Sequence, residues 1–317
     1  MKKIKVGNGP EDMLLDKVDG VEQLIISCGD FARIGQPDRS GSIHGYNLQT
    51  ESGFQFETDG MALVPHSIAI RRSRRELYVI HHGGSGSQPA EHSVFVFAIE
   101  GHKLSLKKSF ASSAYPDYLT TPNDIHVLDD GSFYLTNDGG YGAHAAVNRL
   151  FRATSNVVYY DANRRSFRRV VSHLGAANGI FFEGGKLFVA DGLKRNLLVY
   201  DVAKDGSVTT SVPVRVSRFL DNVTPVGNRK LLIPSHTNPC KLLRHMKSPA
   251  SVRSPFAVYE VDTASGGVRE VMHHDGSLIS AVSTVVAHNG SLYLSQIAGN
   301  FLLKIPYPND EEIRADS

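Results

Sequence analysis

The side chains with chemistry to offer sit in short, recurring strings. Glu11-Asp12, Asn123-Asp124, Asn178 and Asp221-Asn222 each stand just before a short apolar run, and His66 and Ser283 hold the same place in two further strings. Carboxylates and carboxamides are hard oxygen donors. A ring of them, with neither Cys nor an obligatory His, suits Ca²⁺, which takes 6–8 oxygens. Asn and Asp are also common turn residues at strand ends, which accounts for any one of them singly. Their recurrence at one equivalent position points to a shared role. In the pairs Glu11-Asp12 and Asn123-Asp124, neighbouring side chains on an extended strand alternate between its two sides, so the two members can serve different ions at different depths. The alternative is that Asp12 and Asp124 cap turns.

The strings belong to a repeat: a polar residue, a short apolar run, a Gly-containing turn and a second apolar run. Its clearest copies are Asn123-Asp124-Ile125-His126-Val127-Leu128 turning at Asp129-Asp130-Gly131 into Phe133-Tyr134-Leu135-Thr136, and Asn178-Gly179-Ile180-Phe181-Phe182 turning at Gly184-Gly185 into Leu187-Phe188-Val189-Ala190. Each has the pattern of a β-hairpin. Further copies start at His66, Asp221 and Ser283, and the stretch from Glu11 to Ser27 supplies a sixth, degenerate one. Third and fourth strands follow most hairpins, as at 94–97, 156–160, 197–200 and 256–260. Four strands per unit repeated about six times predict an all-β, six-bladed β-propeller around a central, metal-containing channel. No long segment shows the 3.6-residue apolar period that a βαβ fold needs. One propeller domain is expected over residues 1–317, with a polar tail from about 308. In that fold the residue opening each innermost strand points into the channel.

Composition narrows the function classes. Lys and Arg (34) nearly balance Asp and Glu (32), so the basic footprint of a nucleic-acid binder is missing. No stretch approaches the roughly 20 apolar residues that span a bilayer, and the basic N-terminus has no apolar run behind it. Cys28 and Cys240 are too few and too far apart for a disulfide framework or a redox pair. A cytoplasmic location and no membrane or nucleic-acid partner are expected.

The strings also carry a family likeness. Pro10-Glu11-Asp12-Met13, Pro65-His66-Ser67-Ile68, Pro122-Asn123-Asp124-Ile125, Thr136-Asn137-Asp138, Ala177-Asn178-Gly179-Ile180, Asp221-Asn222-Val223 and Ser235-His236 resemble, in the same order over nearly the whole chain, the paraoxonase family of arylesterases and lactonases. The resemblance implies a propeller with two calcium ions in its channel. The catalytic ion would then be held by Glu11, Asn123, Asn178, Asp221 and Asn222, and a structural ion by Asp12, Asp124 and the backbone carbonyl of Ile68. It also implies a catalytic histidine pair at His66 and His82, with His81 as the off-by-one rival, and a substrate-contacting role for His236. The chemistry agrees. A Ca²⁺ ion with open positions polarises an ester or lactone carbonyl, and His66, with an ordinary pKa near 6.5, deprotonates water if His82 fixes its tautomer. With 14 histidines in the chain, a histidine near any site is also an ordinary coincidence.

Other motifs fare worse. Gly83-Gly84-Ser85-Gly86-Ser87 lacks the Lys-Ser/Thr of a phosphate loop, and no Gly-x-Ser-x-Gly elbow occurs in a strand-turn-helix setting. His273-His274 is expected in a solvated turn. Asn222-Val223-Thr224 and Asn289-Gly290-Ser291 fit the glycosylation pattern, yet a sugar on Asn222 would abolish its metal role. The loops at 31–39 and 141–149 depart from the family, so substrate range is not inherited. With no cysteine near either end, ring closure is expected to rest on strand pairing between the termini. The expected function is calcium-dependent hydrolysis of lactones, and of aryl esters, with a small-molecule substrate. The rivals are a gluconolactonase-type lactonase with one ion and a noncatalytic binding platform.

Overall fold

The computed structural model describes residues 1–18, 20–33, 39–83, 91–139, 153–209 and 212–308. The loop at 141–149, Gly84 to Ser87 and the tail beyond 308 lie outside them. The chain opens with β1 (Lys2–Lys5) and then lays down six four-stranded antiparallel sheets. Blade 1 is β2 (Pro10–Val18), β3 (Val21–Cys28), β4 (Ser42–Asn47) and β5 (Ser52–Gln55). Blade 2 is β6 (Pro65–Arg71), β7 (Glu76–His82), β8 (His92–Glu100) and β9 (Lys103–Ala111). Blade 3 is β10 (Pro122–Val127), β11 (Phe133–Asn137), β12 (Ser155–Asp161) and β13 (Ser166–Leu174), and blade 4 is β14 (Ala177–Glu183), β15 (Lys186–Asp191), β16 (Asn196–Asp201) and β17 (Pro213–Arg215). Blade 5 is β18 (Thr224–Gly227), β19 (Lys230–His236), β20 (Phe256–Asp262) and β21 (Val268–His274). Blade 6 is β22 (Val285–His288), β23 (Ser291–Leu294) and β24 (Phe301–Pro306), completed by β1 on its outer edge. The first strands of blades 1 to 4 touch in succession, and β22 of blade 6 touches both β18 of blade 5 and β2 of blade 1, around a common axis. This is the all-β, six-bladed propeller that the repeat predicts.

Local chemistry accounts for the hairpins. Gly184-Gly185 and Asn289-Gly290 are two-residue loops between directly paired residues, and all four have positive φ. That is the type I′ geometry whose twist matches the flanking strands, and Gly and Asn adopt it at least cost.

Runs of consecutive apolar residues send side chains alternately to the two faces of each blade, as Leu24 and Ile26 pack toward blade 6 and Ile25 toward blade 2, and so fill the spaces between blades. Among the described residues six apolar clusters lie one at each interface between neighbouring blades, and a seventh, smaller one forms around Phe31, Ala281 and Ile297. The interface of blades 2 and 3 centres on Phe133, fully buried, stacked on Tyr160 at 5.1 Å and edge-on to Phe110 at 5.4 Å. Ring closure follows the expectation from the sequence: β1 pairs with β24 from Lys2↔Lys304 to Lys5↔Phe301, and Ile4 packs into the cluster between blades 6 and 1.

Two features differ from the sequence reading. The N-terminal copy of the repeat is a complete blade with a nine-residue inner strand. A helix, α1 (Pro239–Lys247), lies between β19 and β20, with Asn238 Oδ1 accepting from Lys241 N at 2.9 Å as its N-cap and Pro239 opening its first turn. Asn238-Pro239 is a legible start signal. It is obscured because the inward face mixes Leu242 and Met246, packed on Phe31, Ala281 and Ile297, with a polar residue, the buried His245. Among the described residues no helix is long and apolar enough to cross a membrane.

Candidate active site

The site is made by one backbone device used four times. The innermost strands of blades 1 to 4 each slip register at the same place: between Pro10 and Asp12, Pro65 and Ile68, Pro122 and Ile125, and Ala177 and Ile180. Each slip places an extra residue against the second strand, a β-bulge, which re-aims side chains and ends regular pairing. The first bulge positions are Glu11, His66, Asn123 and Asn178; the second are Asp12, Ser67, Asp124 and Gly179. Simple alternation along an extended strand, which the sequence suggested for the adjacent pairs, is therefore broken at the candidate residues.

The two sets lie at different depths. An axial cavity of about 280 Å³ is lined by Asp12, Ile68, Asp124, Ile180 and Asn222, among others, and by none of Glu11, His66, Asn123 and Asn178. On the Glu11 side, Glu11, Asn123, Asp221 and Asn222 are all buried. Asn222 Nδ2 donates to Glu11 Oε1 at 3.2 Å and to Thr284 Oγ1 at 2.8 Å, and Asp221 Oδ2 meets His236 Nε2 at 2.7 Å. Three oxygens there, Glu11 Oε2, Asn123 Oδ1 and Asn178 Oδ1, are buried without a hydrogen-bond donor. Orphaned acceptors cost about 1–3 kcal/mol each when nothing meets them. Burial, and then the charge of Asp221, push the Glu11 carboxyl well above the ordinary carboxylate range. A buried set of unpartnered oxygens that resists negative charge fits a hard cation. Among the described residues no group of three or more His, Cys, Asp or Glu side chains is placed to share a metal.

The second tier is differently provisioned. Asp12 Oδ2 accepts from Ile68 N at 2.8 Å and Ser67 Oγ at 2.9 Å, and its Oδ1 from Met13 N and Thr284 Oγ1. Asp124 accepts from Ser67 Oγ, from Ile125 N at 2.7 Å and from Ile180 N at 2.6 Å. Ser67 thus bridges the two carboxylates, and the amide of Ile68 faces Asp12. With protein groups alone around them, burial and then the Glu11 charge raise Asp12 to about 7, and burial and then the Asp12 charge push Asp124 well above its usual range. Gly179 completes this tier without a side chain, since a Cβ there would lie 2.5 Å from Val223 N and 2.6 Å from the Asp221 carbonyl.

Histidines flank the first tier. His66 Nδ1 lies 2.7 Å from His82 Nε2, while His66 Nε2 is 3.7 Å from Glu11 Oε1. His81 instead accepts from the Val64 amide at 3.0 Å, so the partner of His66 is His82 and the off-by-one rival points elsewhere. Burial holds His66 at about 4, so its ring is neutral at pH 7. Phe31 packs on His66 with ring centroids 4.8 Å apart and is itself backed by Leu242 and Met246 of α1. His236 is buried with Nδ1 unpartnered.

The sequence missed Ser67 and Thr284 as members of the second tier, Phe31 as an apolar wall, and His92, whose Nδ1 lies 2.8 Å from His82 Nδ1. Ser67 was legible by aligning the four bulge strings; His92 depends on strand register that no local pattern announces. His273-His274 end β21, where His274 stacks on Phe256 instead of lying in a solvated turn. Asn222 is 3% exposed, which excludes a sugar there in the folded chain.

Fold and site together define a six-bladed propeller with a set of buried axial oxygens beside a pair of histidines in contact. Residues 43–304 match the arylesterase family, and the chain belongs to it. Serum paraoxonase/arylesterase 2 of Gallus gallus is 23% identical over 276 residues, covering 82% of this chain and 75% of its own. Among solved structures, a luciferin-regenerating enzyme superposes with a TM-score of 0.62 at 12% identity, covering 96% of this chain and 92% of its own. The periplasmic gluconolactonase of Pseudomonas aeruginosa does so with a TM-score of 0.56 at 14% identity, covering 94% and 89%. These two likenesses concern the fold. Family membership supports a lactonase or esterase propeller acting on small molecules.

Proposed function

We propose that this protein is a calcium-dependent hydrolase of lactones and aryl esters. The observation that carries the reading is the trio of donor-less buried oxygens, Glu11 Oε2, Asn123 Oδ1 and Asn178 Oδ1, on the same tier as the His66–His82 pair. Glu11, Asn123, Asn178, Asp221 and Asn222 would hold the catalytic ion. Calcium bound there supplies a Lewis acid for the carbonyl oxygen of the substrate. His66 Nε2 takes a proton from water as the water oxygen bonds to the carbonyl carbon, and returns it to the leaving oxygen as the C–O bond breaks. His82 holds the other nitrogen of His66. His236, anchored through Nε2 on Asp221, offers Nδ1 to the substrate. Phe31, Leu242 and Met246 form an apolar wall for the acyl or alkyl part and keep bulk water from the base.

A second ion is proposed at Asp12, Asp124 and the Ile68 carbonyl, where a cation would relieve the repulsion that raises both carboxyls. A one-ion lactonase is the second reading. It is favoured by the hydroxyl and amide donors that already meet Asp12 and Asp124.

The test is lactone hydrolysis by purified protein, followed by proton release, before and after chelation and again with calcium restored, with metal content measured alongside. Activity lost on chelation and regained with calcium supports the hydrolase, and two ions per chain or one separates its versions. No turnover of any lactone or aryl ester by calcium-loaded protein sinks it.

A further inference from the structure

Blade 2 carries three histidines in contact, and the proposed hydrolysis uses only two. His66 lies on β6, His82 ends β7 and His92 opens β8, so each ring sits one strand farther from the channel axis. His66 Nδ1 and His82 Nε2 are 2.7 Å apart; His82 Nδ1 and His92 Nδ1 are 2.8 Å apart. Ring centroids are 4.9 Å apart at both steps, matching the roughly 4.8 Å between neighbouring strands. The second contact is fixed by register, because His82 and His92 are directly opposed in the β7–β8 pairing. The backbone of His92 is pinned in turn by Ser112, whose Oγ accepts from His92 N at 3.0 Å and whose N donates to the His92 carbonyl at 2.8 Å.

A neutral imidazole has one N–H and one lone pair, so in a row of touching rings each ring's tautomer dictates the next. Burial lowers His82 and His92 alike below the ordinary histidine value, which keeps these rings neutral at pH 7. Only two arrangements then satisfy both contacts. Either every ring donates outward, and His66 Nε2 carries a lone pair, or every ring donates inward, and His66 Nε2 carries the proton. Only the first leaves His66 able to accept a proton from water.

We propose that His92 is a positioning residue of this site: its Nδ1 accepts the Nδ1–H of His82, so His82 Nε2 accepts from His66 Nδ1–H and His66 Nε2 is left as the base. The geometry restricts the row to two arrangements, and the choice of the outward one, like its catalytic consequence, rests on the hydrolase reading above. Two variants separate hydrogen bonding from packing. The carboxamide oxygen of His92→Asn falls near the position of the imidazole Nδ1 and keeps an acceptor; His92→Leu removes it.

The experiment pairs steady-state lactone kinetics with ¹⁵N NMR of full-length, histidine-labelled, calcium-loaded protein, which reports the protonated nitrogen of each ring. The expected result is a His82 protonated at Nδ1 in the wild type and in His92→Asn. In His92→Leu the His82 tautomers mix and kcat falls by ~10-fold or more with KM little changed, while His92→Asn keeps most of kcat. A wild-type His82 protonated at Nε2 overturns the proposal. So does a His92→Leu enzyme with unchanged kcat. If the wild type turns over no lactone, the hydrolase reading fails while the wild-type spectrum still decides the tautomer; if His92→Leu does not fold, the wild-type and Asn spectra decide it.

Discussion

Asn222 Nδ2 donates to Glu11 Oε1 at 3.2 Å, joining the first and fifth blades across 211 residues of sequence. The same nitrogen donates to Thr284 Oγ1, so both hydrogens of the amide are committed and its oxygen is turned away from both partners. Sites on this ring are therefore held by contacts between blades far apart in the chain, and their properties should respond to inter-blade geometry as much as to ligand identity.

Removing a donor-less oxygen separates binding from folding. Asn178 Oδ1 is buried with no partner. Asn178→Ala should leave the melting temperature of the calcium-free protein unchanged or raised, because an unsatisfied acceptor disappears. The rise in melting temperature on adding calcium should shrink, and calcium affinity by titration calorimetry should fall ~10-fold or more. Equal calcium-induced shifts in the two proteins would remove Asn178 from the ligand set.

Gly179 tests the backbone device without touching a ligand. A Cβ there meets Val223 N at 2.5 Å, the Asp221 carbonyl at 2.6 Å and the Asn222 carbonyl carbon at 2.8 Å, all main-chain atoms that cannot rotate away. Gly179→Ala should push the Asp221-Asn222 segment outward and weaken calcium binding as strongly as loss of a ligand. Gly184→Ala, in an open two-residue turn, should cost stability through its positive φ and leave calcium affinity intact. Wild-type calcium affinity in Gly179→Ala would mean that blade 5 yields without disturbing the site.

How far the sequence reveals this arrangement follows from where the information lies. Blade number, the clear hairpins and the strings Pro10 to Met13, Pro65 to Ile68, Pro122 to Ile125 and Ala177 to Ile180 are local patterns, and short apolar runs separated by Gly turns make them legible. The first blade looked degenerate although Asp19-Gly20 supplies an Asp-Gly pair between its first two apolar runs. The bulges escape an alternation reading, since one extra residue in a strand leaves no composition signal. His92 and Thr284 depend on long-range register: the first on which residue opposes His82, the second on blade 6 returning to Glu11 and Asp12.

Buried histidines set the acid limb of stability. Burial holds His66, His81 and His126 at about 4 each, against about 6.5 in an unfolded chain. Between those values the unfolded chain binds protons that the native chain does not, so stability falls as pH drops from about 6.5 toward 4 and is independent of these groups above that window. His81→Asn retains an acceptor for the Val64 amide and deletes one titrating ring. Its urea midpoint should fall less steeply over this range than that of the wild type. Parallel pH curves for the two proteins would show that His81 ionises as freely in the native state as in the unfolded one.

Ring closure makes the last case, because it couples a strand on the outer edge to a site on the axis. β1 pairs along its whole length with β24, and its one inward side chain, Ile4, is 4% exposed among Met13, Leu24, Tyr46, Val286, Tyr293 and Leu302. That cluster joins blades 6 and 1. The same two blades meet at the axis, where Ser283, Thr284 and Ser295 donate to the Glu11 carbonyl at 2.5, 3.0 and 2.8 Å. Ile4→Asp places an unpaired charge in the cluster, at a cost of about 3 kcal/mol or more. If the ring behaves as one closed circuit, the urea midpoint and the calcium affinity should fall together, although Ile4 touches no candidate ligand. Lys5→Asp, exposed on the same strand, should change neither by much. A stability loss in Ile4→Asp with unaltered calcium affinity would mean that the axial contacts of Glu11 hold the site closed without help from β1.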